Sequence, residues 1–165
     1  MKKRRLRLLV LLGSFLVVGQ GHASEKADQV VVDKSERVMI LLGNGQEIGR
    51  FPISLGGEPE GPKHQEGDQR TPEGRYVLDY KKSDSAYYKA IHISYPNARD
   101  VAYAEKMKLA PGGQIMIHGQ KNGFGWLGVV MQHFDWTAGC IAVTNRDMDR
   151  IWEAVEAGTP IQIKP

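Results

Sequence analysis

From residue 30 onward the chain alternates between short apolar or β-branched runs and stretches rich in glycine, proline and charge. Val30-Val31-Val32 and Arg37 to Leu42 have the length and composition of strands, with Asp33 to Glu36 as the turn between them. Gly43-Asn44-Gly45 follows, and because Asn and Gly accept positive φ this predicts a tight hairpin into a third strand, Glu47 to Leu55. Pro52 has no N–H to donate to a ladder, which puts that strand at an edge or a bulge. Gly56 to Gly74 has almost no apolar residues and reads as a long surface loop, a length at which loops tend to carry function. Arg75 to Tyr80 and Ala90 to Tyr95 are two further strands, the second alternating in polarity as a half-buried strand does. Asp100 to Leu109 has helix-forming content, and Gln114 to Ile117 is a short buried strand after the Pro111-Gly112-Gly113 turn. Thr144 or Asn145 caps a helix over Arg146 to Val155, with Asp147 in its first turn and Met148, Ile151, Trp152 and Val155 along one face. Ile161-Gln162-Ile163 closes the pattern. The expectation is a β-rich fold, mainly β with one or two helices, built as a sandwich or barrel-like core.

Residues 1–23 differ in kind from the rest. Lys2, Lys3, Arg4, Arg5 and Arg7 precede an apolar stretch from Leu8 to Val18, and Gly21-His22-Ala23 offers small residues ahead of Ser24. The stretch is shorter than the roughly 20 residues a spanning helix needs. It therefore reads as a signal peptide cleaved before Ser24, the alternative being an uncleaved anchor, and residues 24–165 form one exported domain. No cysteine stands directly after the apolar stretch, so no lipid attachment is expected there. This changes the charge picture. Five of the 22 basic residues and none of the 19 acidic ones lie in residues 1–23, which leaves 17 against 19 and a mature charge of −2. The sequence pI near 9.0 belongs to the leader, and nothing points to nucleic acid, which would call for a basic patch on the folded domain.

One cysteine is present, Cys140. Exported proteins mostly use cysteine in pairs, so a single one is either a small buried hydrophobe or a reactive thiol. Its surroundings, Trp136-Thr137-Ala138-Gly139-Cys140-Ile141, put a glycine directly before the sulfur, where backbone N–H groups would have to approach a developing oxyanion. A thiol needs a base at neutral pH, and His118, before Gly119 at the end of a short apolar strand, is the candidate. The alternative is a hydrogen-bonded core histidine, and His133 is a reserve base. His64, His92, His118, His133 and Cys140 show no metal-ligand spacing, so no metal is expected. A redox role lacks a resolving cysteine. No cofactor is implied.

His118-Gly119 with Thr137-Ala138-Gly139-Cys140, together with Gly67-Asp68-Gln69-Arg70-Thr71-Pro72-Glu73-Gly74-Arg75-Tyr76, resembles the L,D-transpeptidase (YkuD-like) family, from Val30 to Ile163. Ile91 to Asn97 and residues 125–128 are similar to a proteobacterial branch of it. The chain differs from the common family pattern at Ala138 and Ala142. The resemblance implies a periplasmic enzyme acting on peptidoglycan stem peptides. Cys140 would attack the bond between the L-centre of diaminopimelate and D-alanine, with His118 as base and acid. The Gly119 carbonyl would orient the ring, and backbone around Gly139 and Cys140 would form the oxyanion hole. The acyl acceptor would be an amine on another stem or on a wall-anchored lipoprotein. Water as acceptor would make it a carboxypeptidase or endopeptidase, and a non-catalytic wall-binding module is the rival from another class. Arg70, Trp126, Trp136 and Thr137 are the candidate substrate-binding residues. Arg70 could hold a stem carboxylate in two-point fashion, and Phe124 could join the tryptophans in lining a cleft. Tyr80, Tyr87 and Tyr88 read as surface or strand packing.

Overall fold

A computed structural model describes residues 25–165. The signal-peptide expectation, residues 1–23, lies outside the described residues.

The first three strands form where the pattern predicts them. β1 (Gln29–Asp33), β2 (Val38–Gly43) and β3 (Gln46–Pro52) make an antiparallel meander. Asn44 and Gly45 both take positive φ, 52° and 75°, the turn whose twist matches the flanking strands. β4 (Gly74–Ser85) and β5 (Tyr88–Ile93) form a second hairpin, followed by α1 (Ala98–Met107), β6 (Met116–His118), α2 (Gly128–Met131), β7 (Ile141–Ala142), α3 (Asn145–Ala154) and β8 (Thr159–Lys164). A 3₁₀ turn, Gly125–Leu127, leads into α2. Asn97 caps α1 with a reciprocal bond to Asp100, and Thr144 caps α3 through the Asp147 N–H.

All eight strands belong to one sheet, in the order β3-β2-β1-β8-β4-β5-β6-β7. The β1–β8 and β6–β7 pairs are parallel. The sheet curls until its two ends meet. Just past β3, Ser54 exchanges two backbone hydrogen bonds of 2.9 Å with Ala142 of β7. Thr137 N–H then donates to the Leu55 carbonyl, and Gly57 N–H to that of Thr137. Val30, Val32, Met39, Leu41, Phe51, Ile91, Ile93, Ile117 and Ile141 fill the enclosed side, where Met148, Ile151 and Val155 of the α3 segment join them. Trp152, expected on that face, is only partly buried and packs at the rim.

Two expectations are corrected. Among the described residues there are three helices, because α2 is four residues long and shows no helical period in the sequence. β5 is covered on both sides from Ala90 to Ile93 rather than half wet. Residues 56–73 form the long surface loop expected, and two buried lysines pin it. Lys34, 2% exposed, reaches into the loop to donate to the carbonyls of Gly61 (2.7 Å) and Thr71 (3.2 Å) and to Glu73 (2.7 Å). Asp68 pairs with the buried Lys63 at 2.7 Å and accepts from the backbone of His64, Gln65 and Arg70. A buried ammonium is tolerable only when it is paired and hydrogen-bonded, and these two lysines set the path of the loop.

Candidate active site

β6 and β7 run side by side with Ile117 opposite Ile141 and His118 opposite Ala142. Cys140, one residue before β7, is therefore level with Met116. Side chains alternate faces along a strand. Since Ile117 and Ile141 point into the core, Met116, His118 and Cys140 share the other face.

The thiol is half-buried. It donates to the Gln114 carbonyl at 3.7 Å. Burial pushes the Cys140 thiol above its ordinary value, while the Met116 backbone N–H and the Lys63 ammonium draw it back. His118 is buried, and its Nδ1 lies 2.6 Å from the Gly119 carbonyl. A carbonyl oxygen can only accept, so Nδ1 carries the proton and Nε2 keeps a free lone pair. Burial holds the imidazole below its ordinary value, and the bond to Gly119 works in the opposite sense. At neutral pH the pair is thus an uncharged thiol beside an uncharged imidazole, because both charged forms are penalised by desolvation.

The turn before the sulfur is held by Thr137. Its hydroxyl donates to the Cys140 carbonyl (2.7 Å) and accepts from the Gly139 N–H (3.1 Å). Gly139 sits at φ 122°, and a Cβ there would lie 2.6 Å from the Arg70 carbonyl oxygen. A glycine is required on both counts. With the Gly139 N–H taken by Thr137, the N–H groups of Ala138 and Cys140 are left without a partner among the described residues. Gly119 is a packing glycine, since a Cβ would meet Asn145 Oδ1 at 2.7 Å, and that oxygen accepts from the Gln120 N–H.

Cys140, His118, Trp136 and Thr137 line a common cleft of about 480 Å³. Trp136 presents its edge to His118 at 5.9 Å. Tyr87 from the β4–β5 tip lies over His118 with ring centres 4.7 Å apart, so it is a wall of the cleft rather than surface packing. Ser85, Ala90 and Met116 complete that wall. A hairpin tip folding over a distant histidine leaves no local trace, which is why periodicity missed Tyr87. Arg70 and Trp126 are not brought to the cleft. The Arg70 guanidinium lies against Gly61, and only its carbonyl reaches the site, under Gly139. Trp126 is 78% exposed and belongs with Phe124, Val129, Val130 and Phe134 to an outward apolar surface. His133 is exposed and does not line the cleft. Two larger depressions, about 600 and 650 Å³, flank α1 and contain no cysteine. Among the described residues no three His, Cys, Asp or Glu side chains gather in a way that could hold a metal. No described helix is long and apolar enough to cross a membrane.

Comparison with known proteins agrees with this geometry. The family model described as YkuD, the L,D-transpeptidase catalytic domain, matches residues 27–163. The chain is 37% identical over 147 residues to "Putative L,D-transpeptidase YafK" of Escherichia coli K12, an alignment covering 88% of this chain and 49% of that protein. The chain thus spans about half the length of the curated relatives it matches. Among solved structures, the helical cell shape determining protein Pgp2 of Campylobacter jejuni superposes with a TM-score of 0.64 at 24% identity, covering 82% of this chain and 46% of that one. The L,D-transpeptidase LdtMt1 in complex with imipenem superposes with a TM-score of 0.53 at 17% identity, covering 82% and 58%. At these identities the superpositions establish the shared fold.

Proposed function

The chain belongs to the YkuD L,D-transpeptidase catalytic-domain family, and from that premise we propose that it is a periplasmic peptidoglycan L,D-transpeptidase with Cys140 as nucleophile. The observation that carries the reading is the shared strand face of Cys140 and His118, with the His118 Nδ1–H committed to the Gly119 carbonyl. That commitment leaves Nε2 as the base.

The sulfur adds to the carbonyl carbon of the stem's third residue as its proton passes to Nε2. The oxyanion takes the Cys140 N–H. The tetrahedral intermediate collapses by breaking the C–N bond, and the imidazolium returns its proton to the nitrogen of departing D-alanine. The thioester remains on Cys140. An amine from another stem or from a wall-anchored lipoprotein then attacks it, giving its proton to His118 and restoring the thiol. Both uncharged partners in the resting pair suit this cycle, since each step moves one proton between Cys140 or the substrate nitrogen and His118. Thr137 keeps the turn in register through both of its bonds, and Trp136 and Tyr87 wall the imidazole from water. The segment of residues 1–23 would export the domain.

Intact-protein mass spectrometry with imipenem tests the reading, since LdtMt1 is known as a complex with that compound. One covalent adduct is expected, absent in Cys140→Ala and formed much more slowly in His118→Ala. No adduct in the native protein would overturn the acyl-transfer reading. Purified muropeptides then separate acceptors: products heavier than the donor identify transfer, and cleavage products alone identify hydrolysis.

A further inference from the structure

We propose that Asp79, His92 and Tyr80 form a subsite for a primary ammonium, the one at the far end of the side chain of the stem residue whose carbonyl Cys140 attacks. This rests on the acyl-transfer reading and adds to it the feature by which the donor is recognised.

The cluster exists because of a fault in the β4–β5 ladder. Leu78 pairs with Ile93 and Lys81 with Ile91, so two residues, Asp79 and Tyr80, stand opposite the single His92. Such a bulge re-aims side chains, and here it turns both toward His92. The Asp79 carboxylate lies 2.7 Å from His92 Nδ1, and the Tyr80 ring stacks on the imidazole at 4.5 Å and 12°. A carboxylate can only accept, so Nδ1 donates to it and His92 holds the Asp79 carboxylate in place. Asp79 keeps 41% of its side chain exposed, with its second oxygen unengaged among the described residues. An open carboxylate oxygen beside an aromatic face matches an ammonium, through a charge-assisted hydrogen bond and through the ring's negative face.

The location ties this cluster to the reaction. His92 pairs with Met116, and Met116 is level with Cys140. Ile91, Ile93, Ile117 and Ile141 all face the core, so His92, Met116 and Cys140 lie on one surface. His92 is therefore two strand spacings from the sulfur, roughly 10 Å, and the Asp79 carboxylate reaches toward it from the next strand. In diaminopimelate six covalent bonds separate the attacked carbonyl carbon from the distal nitrogen, as many as in two residues of extended backbone, or roughly 7 Å. Adding a contact distance at each end spans the gap, across Met116 as the floor.

The test uses the native protein and three donor tetrapeptides that differ only at the third side chain: free amine, N-acetylated amine, and plain alkyl chain. D-alanine release is followed for each. The free-amine stem is expected to be favoured in kcat/KM by about tenfold or more, mostly through KM, as for a charge-assisted bond. In Asp79→Asn and His92→Gln that preference should fall to about twofold or less. If the native protein treats the three stems alike while imipenem still labels Cys140, the subsite is refuted and the acyl-transfer reading stands. Full preference retained in Asp79→Asn also refutes it. Neither imipenem labelling nor D-alanine release would refute both. A cross-strand pair that merely stabilises the sheet would change Tm without changing the ratio between stems.

Discussion

Gly139→Ala isolates the turn that carries Cys140 without touching Cys140 or His118. The new methyl carbon would stand 2.6 Å from the Arg70 carbonyl oxygen, where about 3.4 Å marks ordinary contact, so backbone must move by about 0.8 Å. The obstacle is a peptide group, not a flexible side-chain end. It belongs to a segment pinned by Asp68, Lys63 and Lys34, so the softer partner, the 137–140 turn, gives way. The residue would also have to hold φ near 122°, a conformation costing an alanine on the order of 1–3 kcal/mol. In a domain of this size that corresponds to a Tm lower by roughly 3–10 °C. A displacement approaching 1 Å at a reacting atom costs on the order of a hundredfold in rate. The expected result is imipenem acylation of Cys140 slowed by about a hundredfold, measured by time-resolved intact mass, in a protein whose circular dichroism remains native. Acylation within threefold of the native rate, with Tm unchanged, would refute the argument that this glycine positions the sulfur.

Other outcomes follow from the same geometry. The acylation rate should plateau between an acid limb below the ordinary histidine value of 6.5 and an alkaline limb above the ordinary thiol value of 9.0. Burial lowers one group and raises the other: below the first limb His118 gains a proton and ceases to be a base, and above the second the pair has lost the proton owed to the leaving nitrogen. A stopped-flow or mass-resolved pH profile with an acid limb at pH 7 or higher would contradict the neutral resting pair. Thr137→Val removes both bonds of the hydroxyl, and urea unfolding should show a loss of about 1–3 kcal/mol together with slower acylation. Lys34→Met strands Glu73 and two carbonyls and should cost about 3 kcal/mol or more by urea unfolding, an undiminished midpoint being the adverse result. Trp126→Ser, at a side chain 78% exposed, should alter stability by less than about 0.5 kcal/mol and leave imipenem labelling intact.

What could be read from the chain depended on how local its cause was. The Asn44-Gly45 turn, the apolar and β-branched runs of β1 and β2, and the Met148, Ile151 and Val155 face are properties of neighbouring residues, and all three emerge as predicted. Cys140 and His118 were legible as candidates because a lone cysteine in a chain with a leader-like start, directly after a glycine, is unusual, but nothing in their separation placed them together. That required β7, two residues long and too short to show a period, to lie beside β6. Tyr87 reaches the site from a hairpin tip. Arg70 contributes a carbonyl where its side chain had suggested a role, because the close packing at Gly139 is a backbone event that residue type does not announce. His92 looked like the wet face of an alternating strand until the bulge at Asp79 and Tyr80 covered it.

The closure of the sheet through Ser54 and Ala142 also bears on the order in which the molecule assembles. Those residues are 88 positions apart in the chain, and joining such distant segments forfeits more chain entropy than forming either hairpin. The closure at Ser54–Ala142 is thus expected after the hairpins, as is the β1–β8 pairing, whose partners Val30 and Ile161 are 131 positions apart. Until the Cys140 segment is laid beside β6, the thiol has no imidazole near it. Pulsed alkylation during refolding would reveal this as Cys140 protection that lags behind the β1–β3 signal.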